Sequence, residues 1–148
     1  MKKINLLVVA TMLLIVTSLL GACAFNGARG DVKTQFIRDF ELDVDKDSLK
    51  FEKLFNNYEG VPYEGIALYK ITLDSESQKE FLKWNRLPIP ENVELFLVSI
   101  SDYVVLPEIP DGYWMFVDRN PGTQKYTNVS MCIYDMAEEV AYLITMDS

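Results

Sequence analysis

The sequence predicts an α+β fold: mainly an antiparallel β-sheet, with one or two short helices packed on one face and a carboxy-terminal β-hairpin. Three observations predict it. Runs of apolar, β-branched and aromatic residues of strand length recur at 66–73, 113–117, 129–134 and 140–145. One helix signal, Ser75-x-x-Gln78, lies between these β portions. The last two runs flank residues 135–139, an ordinary length for a hairpin connection.

Taken in order, Phe36, Phe40, Leu42 and Val44 alternate well enough to predict a strand over 36–44. Residues 56–65 are rich in turn formers and form a loop before the strand over 66–73. Ser75 and Gln78 can satisfy orphan N–H groups, so a helix is expected over 76–84, burying Phe81, Leu82 and Trp84. Leu87-Pro88-Ile89-Pro90 stops it. Pro90 can open a second short helix through Leu97, with Val93, Leu95, Phe96 and Leu97 apolar; a strand is the alternative there. Residues 107–112 form a loop, and the aromatic strand over 113–117 is closed by Asn120-Pro121-Gly122. The chain shows no internal repeat and no low-complexity segment, so 34–148 reads as a single domain.

The amino terminus has a different character. Met1-Lys2-Lys3 is followed by an apolar run to Leu20, broken only by Asn5, Thr11, Thr17 and Ser18. Charge, apolar stretch and small residues in that order are the parts of a secretory signal. The run is a little short of the ~20 residues that span a bilayer, and a retained transmembrane anchor is the alternative. Leu20-Gly21-Ala22-Cys23 resembles the bacterial lipobox. That resemblance implies a signal peptide over 1–22, cleavage between Ala22 and Cys23, and a diacylglyceryl group on the Cys23 thiol. Two acyl chains anchor stably where one binds marginally. Residues 23–33, small and polar, then read as a flexible tether. The expected location is the cell membrane, lipid-anchored and facing outside the cytoplasm. The tether holds Arg29-Gly30-Asp31, a tripeptide resembling an integrin ligand, though close to the lipid.

Composition narrows the chemistry. The chain has 14 basic and 22 acidic residues, a net charge of −8, and loss of Lys2 and Lys3 with residues 1–22 takes this to −10. Such a surface repels phosphate backbones and anionic headgroups, so neither nucleic-acid binding nor a basic membrane patch is expected. There is no histidine, which excludes His-dependent triads and HExxH zinc sites. No metal or other cofactor is expected. With Cys23 lipidated, Cys132 has no intramolecular partner, and its apolar surroundings over 129–134 predict a buried core thiol.

Three clusters are candidates for function. Asp43, Asp45 and Asp47 open like an EF-hand calcium loop, but Ser48 stands at the glycine position and Leu54 at the bidentate glutamate position. A solvated strand end is the other reading. Among the aromatics Tyr58, Tyr63, Tyr69, Trp84, Tyr113, Trp114 and Tyr126, the candidate ligand-binding residues are Tyr58, Tyr63 and Trp114, should they surround one concavity. Asp118 and Arg119, with Asp135, are the charged residues that a histidine-free hydrolase would use.

Trp84 with Leu87-Pro88, the segment from Gly112 to Arg119, and the segment from Val129 to Asp135 resemble a family of small, uncharacterised proteins from Gram-positive bacteria. The resemblance spans about residues 60–148 and implies an aromatic strand and a closing hairpin. This chain lacks the histidine of the loop before the family's first central strand, and its closing strand is less aromatic. The functional expectation is a membrane-anchored, non-catalytic binding or interaction module for a protein or small ligand. The alternatives are an immunity or inhibitor-type protein masking a surface partner, and a histidine-independent hydrolase.

Overall fold

The structure, a computed structural model, describes residues 31–58, 64–122 and 126–147. In chain order its elements are helix α1 (Val32–Asp39), a 3-10 turn (Lys46–Ser48), and strands β1 (Lys50–Asn56) and β2 (Gly65–Thr72). The one-turn helix α2 (Gln78–Phe81), strand β3 (Asn85–Arg86) and helix α3 (Glu91–Ile100) follow. Strands β4 (Gly112–Asp118), β5 (Asn128–Asp135) and β6 (Val140–Asp147) close the chain. The chain divides into two units between Gln35 and Phe36. Of the first, residues 31–35 are described; they carry the start of α1, where Thr34 Oγ1 donates to Asp31 Oδ2 at 3.4 Å. The expected tether end at residue 33 therefore falls inside a helix. The sheet and its cover belong to the second unit.

The six strands form one antiparallel sheet in the order β1-β2-β6-β5-β4-β3. The expected carboxy-terminal hairpin is its centre, with β5 and β6 in register from Asn128↔Asp147 to Asp135↔Val140. Asp135 Oδ1 closes the connection by accepting from the amides of Ala137 (2.8 Å) and Glu138 (3.2 Å). At one edge, β1 exposes Lys50, Glu52 and Lys53 and carries an irregularity between Lys53 and Phe55. Charge and a bulge both discourage pairing with another sheet.

Alternation gives the sheet two buried faces. On one, Ile66, Leu68, Trp114, Val129, Met131, Ile133, Val140, Tyr142 and Ile144 pack with Val93, Phe96 and Ile100 of α3 and with Val104. On the other, Ala67, Ile71, Cys132, Tyr134, Ala141 and Leu143 are buried. Aromatic rings cover this second face: Phe36 lies 6.2 Å from Phe81, Phe81 lies 5.4 Å from Tyr134, and Phe40 lies 5.3 Å from Trp84. Each such side chain stabilises the fold by about 1.5–3 kcal/mol when removed from water. The α+β class stands as expected, with helical residues serving both faces where one was anticipated.

Four local expectations are corrected. In place of the strand over 36–44 stand the end of α1, over 36–39, and the turn that follows it; Phe36 and Phe40 are spaced i, i+4 and their rings meet at 5.0 Å. Glu41, at φ 51°, ends that helix: its amide bonds the Arg38 carbonyl, and the Leu42 amide bonds the Ile37 carbonyl, the pairing of a Schellman motif. The helix over 76–84 shrinks to α2. Its cap is Asp74, whose carboxylate accepts from the Ser77 amide at 2.7 Å, and not Ser75; Leu82 is exposed. Strands β1 and β3 were not anticipated.

Candidate functional site

The chain between β3 and β4 builds an open groove of about 420 Å³, lined by Leu87, Pro88, Ile89, Glu94, Leu97, Ile109 and Pro110. Two walls are loops. Leu87, which precedes a cis peptide to Pro88, continues the β3–β4 pairing by donating its amide to the Gly112 carbonyl at 3.0 Å. Arg86 grips both Asp111 carboxylate oxygens, at 2.9 and 3.0 Å, so the chains that carry Leu87 and Pro110 are held side by side. The third wall is α3. Leu87, Ile89, Leu97 and Ile109 also pack against the sheet's first apolar cluster, so the groove is backed by the core.

Helix α3 is apolar on more than its buried stripe. Val93, Phe96 and Ile100 face the core, yet Leu95 and Val98 are each 62% exposed. Helical spacing sets Val98 beside Glu94 (i, i+4), at the rim of the groove, and Leu95 beside Val98 (i, i+3), farther round the helix. Past the helix, Tyr103 and Val105 are exposed as well. Such a helix normally has apolar residues on one stripe only. Exposed apolar side chains next to a groove mark a candidate docking place.

A second cluster is polar. Arg119, at the end of β4, reaches Asp39 of α1 through Nη1 at 3.5 Å. Its Nη2 lies within hydrogen-bonding distance of the Val129 and Met146 carbonyls and of Asp147. The Tyr58 hydroxyl sits 3.1 Å from both Asp147 Oδ2 and Thr145 Oγ1, and Ser130 Oγ donates to Asp39 at 3.4 Å. The guanidinium thus ties α1 to the ends of β5 and β6. Its arrangement is that of a structural tie.

The sequence candidates scatter across this framework. Asp118 and Asp135 lie at opposite ends of the β4–β5 pairing, since Asp118 faces Val129 and Asp135 faces Gly112. Each accepts from the turn that follows it, Asp118 from the Asn120 amide. The expected cluster of Asp118, Arg119 and Asp135 therefore does not assemble. Trp114 is buried in the first apolar face, its indole Nε1 without a hydrogen-bond partner among the described residues. Tyr58 is half-buried and bonds to residues of the second face, so Tyr58 and Trp114 do not share a concavity. Tyr63, Ala22 and Cys23 lie outside the described residues.

Of the aspartate run, Asp45 caps the 3-10 turn by accepting from the Asp47 amide at 2.9 Å, which replaces the expected strand end. Among the described residues no group of three or more potential metal ligands converges. Cys132 is fully buried, and burial pushes its thiol well above the usual range. The groove residues escaped sequence reading because loops far apart in sequence supply them. One signal was available: 95–98 is a four-residue apolar run inside a helix that also needs Val93 and Ile100 for its core.

No protein-family model, curated protein or solved structure matches the chain.

Proposed function

We propose that this chain is a membrane-anchored extracytoplasmic lipoprotein that works as a non-catalytic binding module, with the groove and the outer face of α3 as its binding surface. The observation that carries the reading is the pair Leu95 and Val98, both 62% exposed on the helix that forms one wall of the groove. Leaving such side chains in water forgoes the ~1.5–3 kcal/mol that burial of each would contribute. A partner that covers them gains it. The anchor reading rests on the lipobox-like Leu20-Gly21-Ala22-Cys23. Among the described residues no helix is long and apolar enough to cross a membrane.

Purification of the full chain from its membranes, followed by intact and native mass measurement, tests both halves. The expected polypeptide starts at Cys23 and carries a diacylglyceryl mass, and Cys23→Ala abolishes that mass and the membrane association. A bound species present on the wild type and lost from a Leu95→Ser, Val98→Ser variant supports the binding surface. An unlipidated chain beginning at Met1 contradicts the anchor, and a bound species indifferent to both substitutions contradicts the surface.

A further inference from the structure

We propose that the occupant of this surface is a cationic amphipathic peptide segment, one that presents an apolar stripe flanked by Lys or Arg. The inference rests on the binding-surface reading above and adds the chemistry of the partner. It begins with a feature of the sequence that the fold gathers in one place. From Leu87 to Asp118 the chain contains no Lys or Arg, while it contains Glu91, Glu94, Asp102, Glu108, Asp111 and Asp118. All seven groove-lining residues, and all four exposed apolar side chains of α3 and its exit, come from this stretch.

One of these carboxylates lines the groove and two more lie beside its walls along the chain. Glu94 lines the groove itself. Glu91 lies one helical turn from both Glu94 and Leu95, and Glu108 is the chain neighbour of Ile109 on the opposite wall. The nearest cation in sequence, Arg86, is engaged bidentately by Asp111. Glu91 and Glu94 occupy the first turn of α3, where negative charge complements the exposed N–H groups of the helix. That role accounts for two carboxylates at one helix end. It does not account for Glu108 next to the lining residue Ile109, nor for the absence of any cation from Leu87 to Asp118.

Two physical terms then favour the same occupant. Apolar side chains filling the groove and covering Leu95 and Val98 supply the hydrophobic gain. Carboxylates flanking the groove attract cations, speed the encounter and reject an acidic competitor. A lipid surface meets only the first term, because anionic headgroups are repelled by the same carboxylates. A second copy of this chain would set these carboxylates against each other. A cationic amphipathic segment satisfies both terms.

The test uses the full chain in zwitterionic nanodiscs and three labelled peptides of equal length, read by fluorescence anisotropy with empty discs subtracted. One peptide has a Leu stripe with Lys flanks, one the same stripe with Glu flanks, and one Ser in place of Leu with Lys flanks. The Leu/Lys peptide is expected to bind saturably and to weaken as salt is raised. The doubly reversed variant E94K/E108K is expected to lose roughly tenfold in affinity for it. The same variant should gain affinity for the Leu/Glu peptide, a gain that an unfolded protein would not show.

Equal binding of the Leu/Lys and Ser/Lys peptides would overturn the proposal, as would Leu/Lys binding indifferent to E94K/E108K. Signal carried entirely by empty discs overturns it in favour of lipid. Binding of the Leu/Glu peptide to the wild type, abolished by L95S/V98S, overturns the cationic preference while leaving the binding surface in place. Failure of all three peptides overturns the proposal outright.

Discussion

An ideal Cβ on Gly112 falls 2.0 Å from the Tyr134 carbonyl oxygen, inside any allowed contact, and the obstacle is backbone of the central strand β5. Gly112→Ala must therefore push β4 away from β5 at the point where Leu87 also pairs. A loss of about 3 kcal/mol is expected, read as a lowered urea midpoint. Glu41 presents the opposite case. It holds φ at 51° in the Schellman ending of α1, a conformation that costs a non-glycine residue about 1–2 kcal/mol. Glu41→Gly removes that cost at the expense of a more flexible unfolded chain, so a net gain of roughly 0.5–1 kcal/mol is expected. Neither residue was legible beforehand. The Gly112 constraint arises from a strand partner more than twenty positions away, and Glu41 gives no sign that it takes the place usually held by glycine.

Elements were legible where a single period dominated. Strands β2, β4, β5 and β6 carry long apolar runs, and each lies within about two residues of its expectation. Phe36 and Phe40 suit both a strand and a helix when read alone, and packing against Phe81 and Trp84 decided for α1. β1 was missed because its apolar positions are split by a bulge, and β3 because two residues carry no period. At α2 the cap can be titrated. Hydrogen bonds from the Ser77 side chain and amide hold the Asp74 carboxyl below its ordinary value of 3.8. A carboxyl lowered in the folded state adds stability above its unfolded value, and that contribution is lost as pH falls through the folded value. The Ser77 amide resonance should accordingly titrate with a midpoint below 3.8 and cease to do so in Asp74→Asn. At α3 the two sides of the helix separate by substitution. Leu95→Ser with Val98→Ser should change stability by no more than about 0.5 kcal/mol per site, whereas Phe96→Ala should cost about 3–5 kcal/mol in chemical unfolding.

At the scale of the molecule, the sheet, α3 and the loops at one edge divide the work. The sheet supplies a two-faced core that holds Cys132 as a buried free thiol, α3 covers one face, and the outer side of α3 is exposed beside the groove. Composition pointed to an acidic, histidine-free domain, and the lipobox-like segment to an expected place at a membrane; the proposed binding surface comes from the fold. The candidate site stayed hidden because its walls come from three segments, 87–89, 94–97 and 109–110, which β3–β4 pairing and the packing of α3 on the core bring together. Tyr58 and Trp114, chosen for their aromatic rings, were drawn into hydrogen bonding and into the core. The central claim is that the outer face of α3 is a working surface. Photo-crosslinking on native membranes tests it most directly, with a benzophenone side chain placed at Val98, 62% exposed, or, as an apolar reference on β1 that is 46% exposed, at Leu54. The account predicts a discrete adduct from position 98 and none from position 54; no adduct from 98, or the same adducts from both, would contradict it.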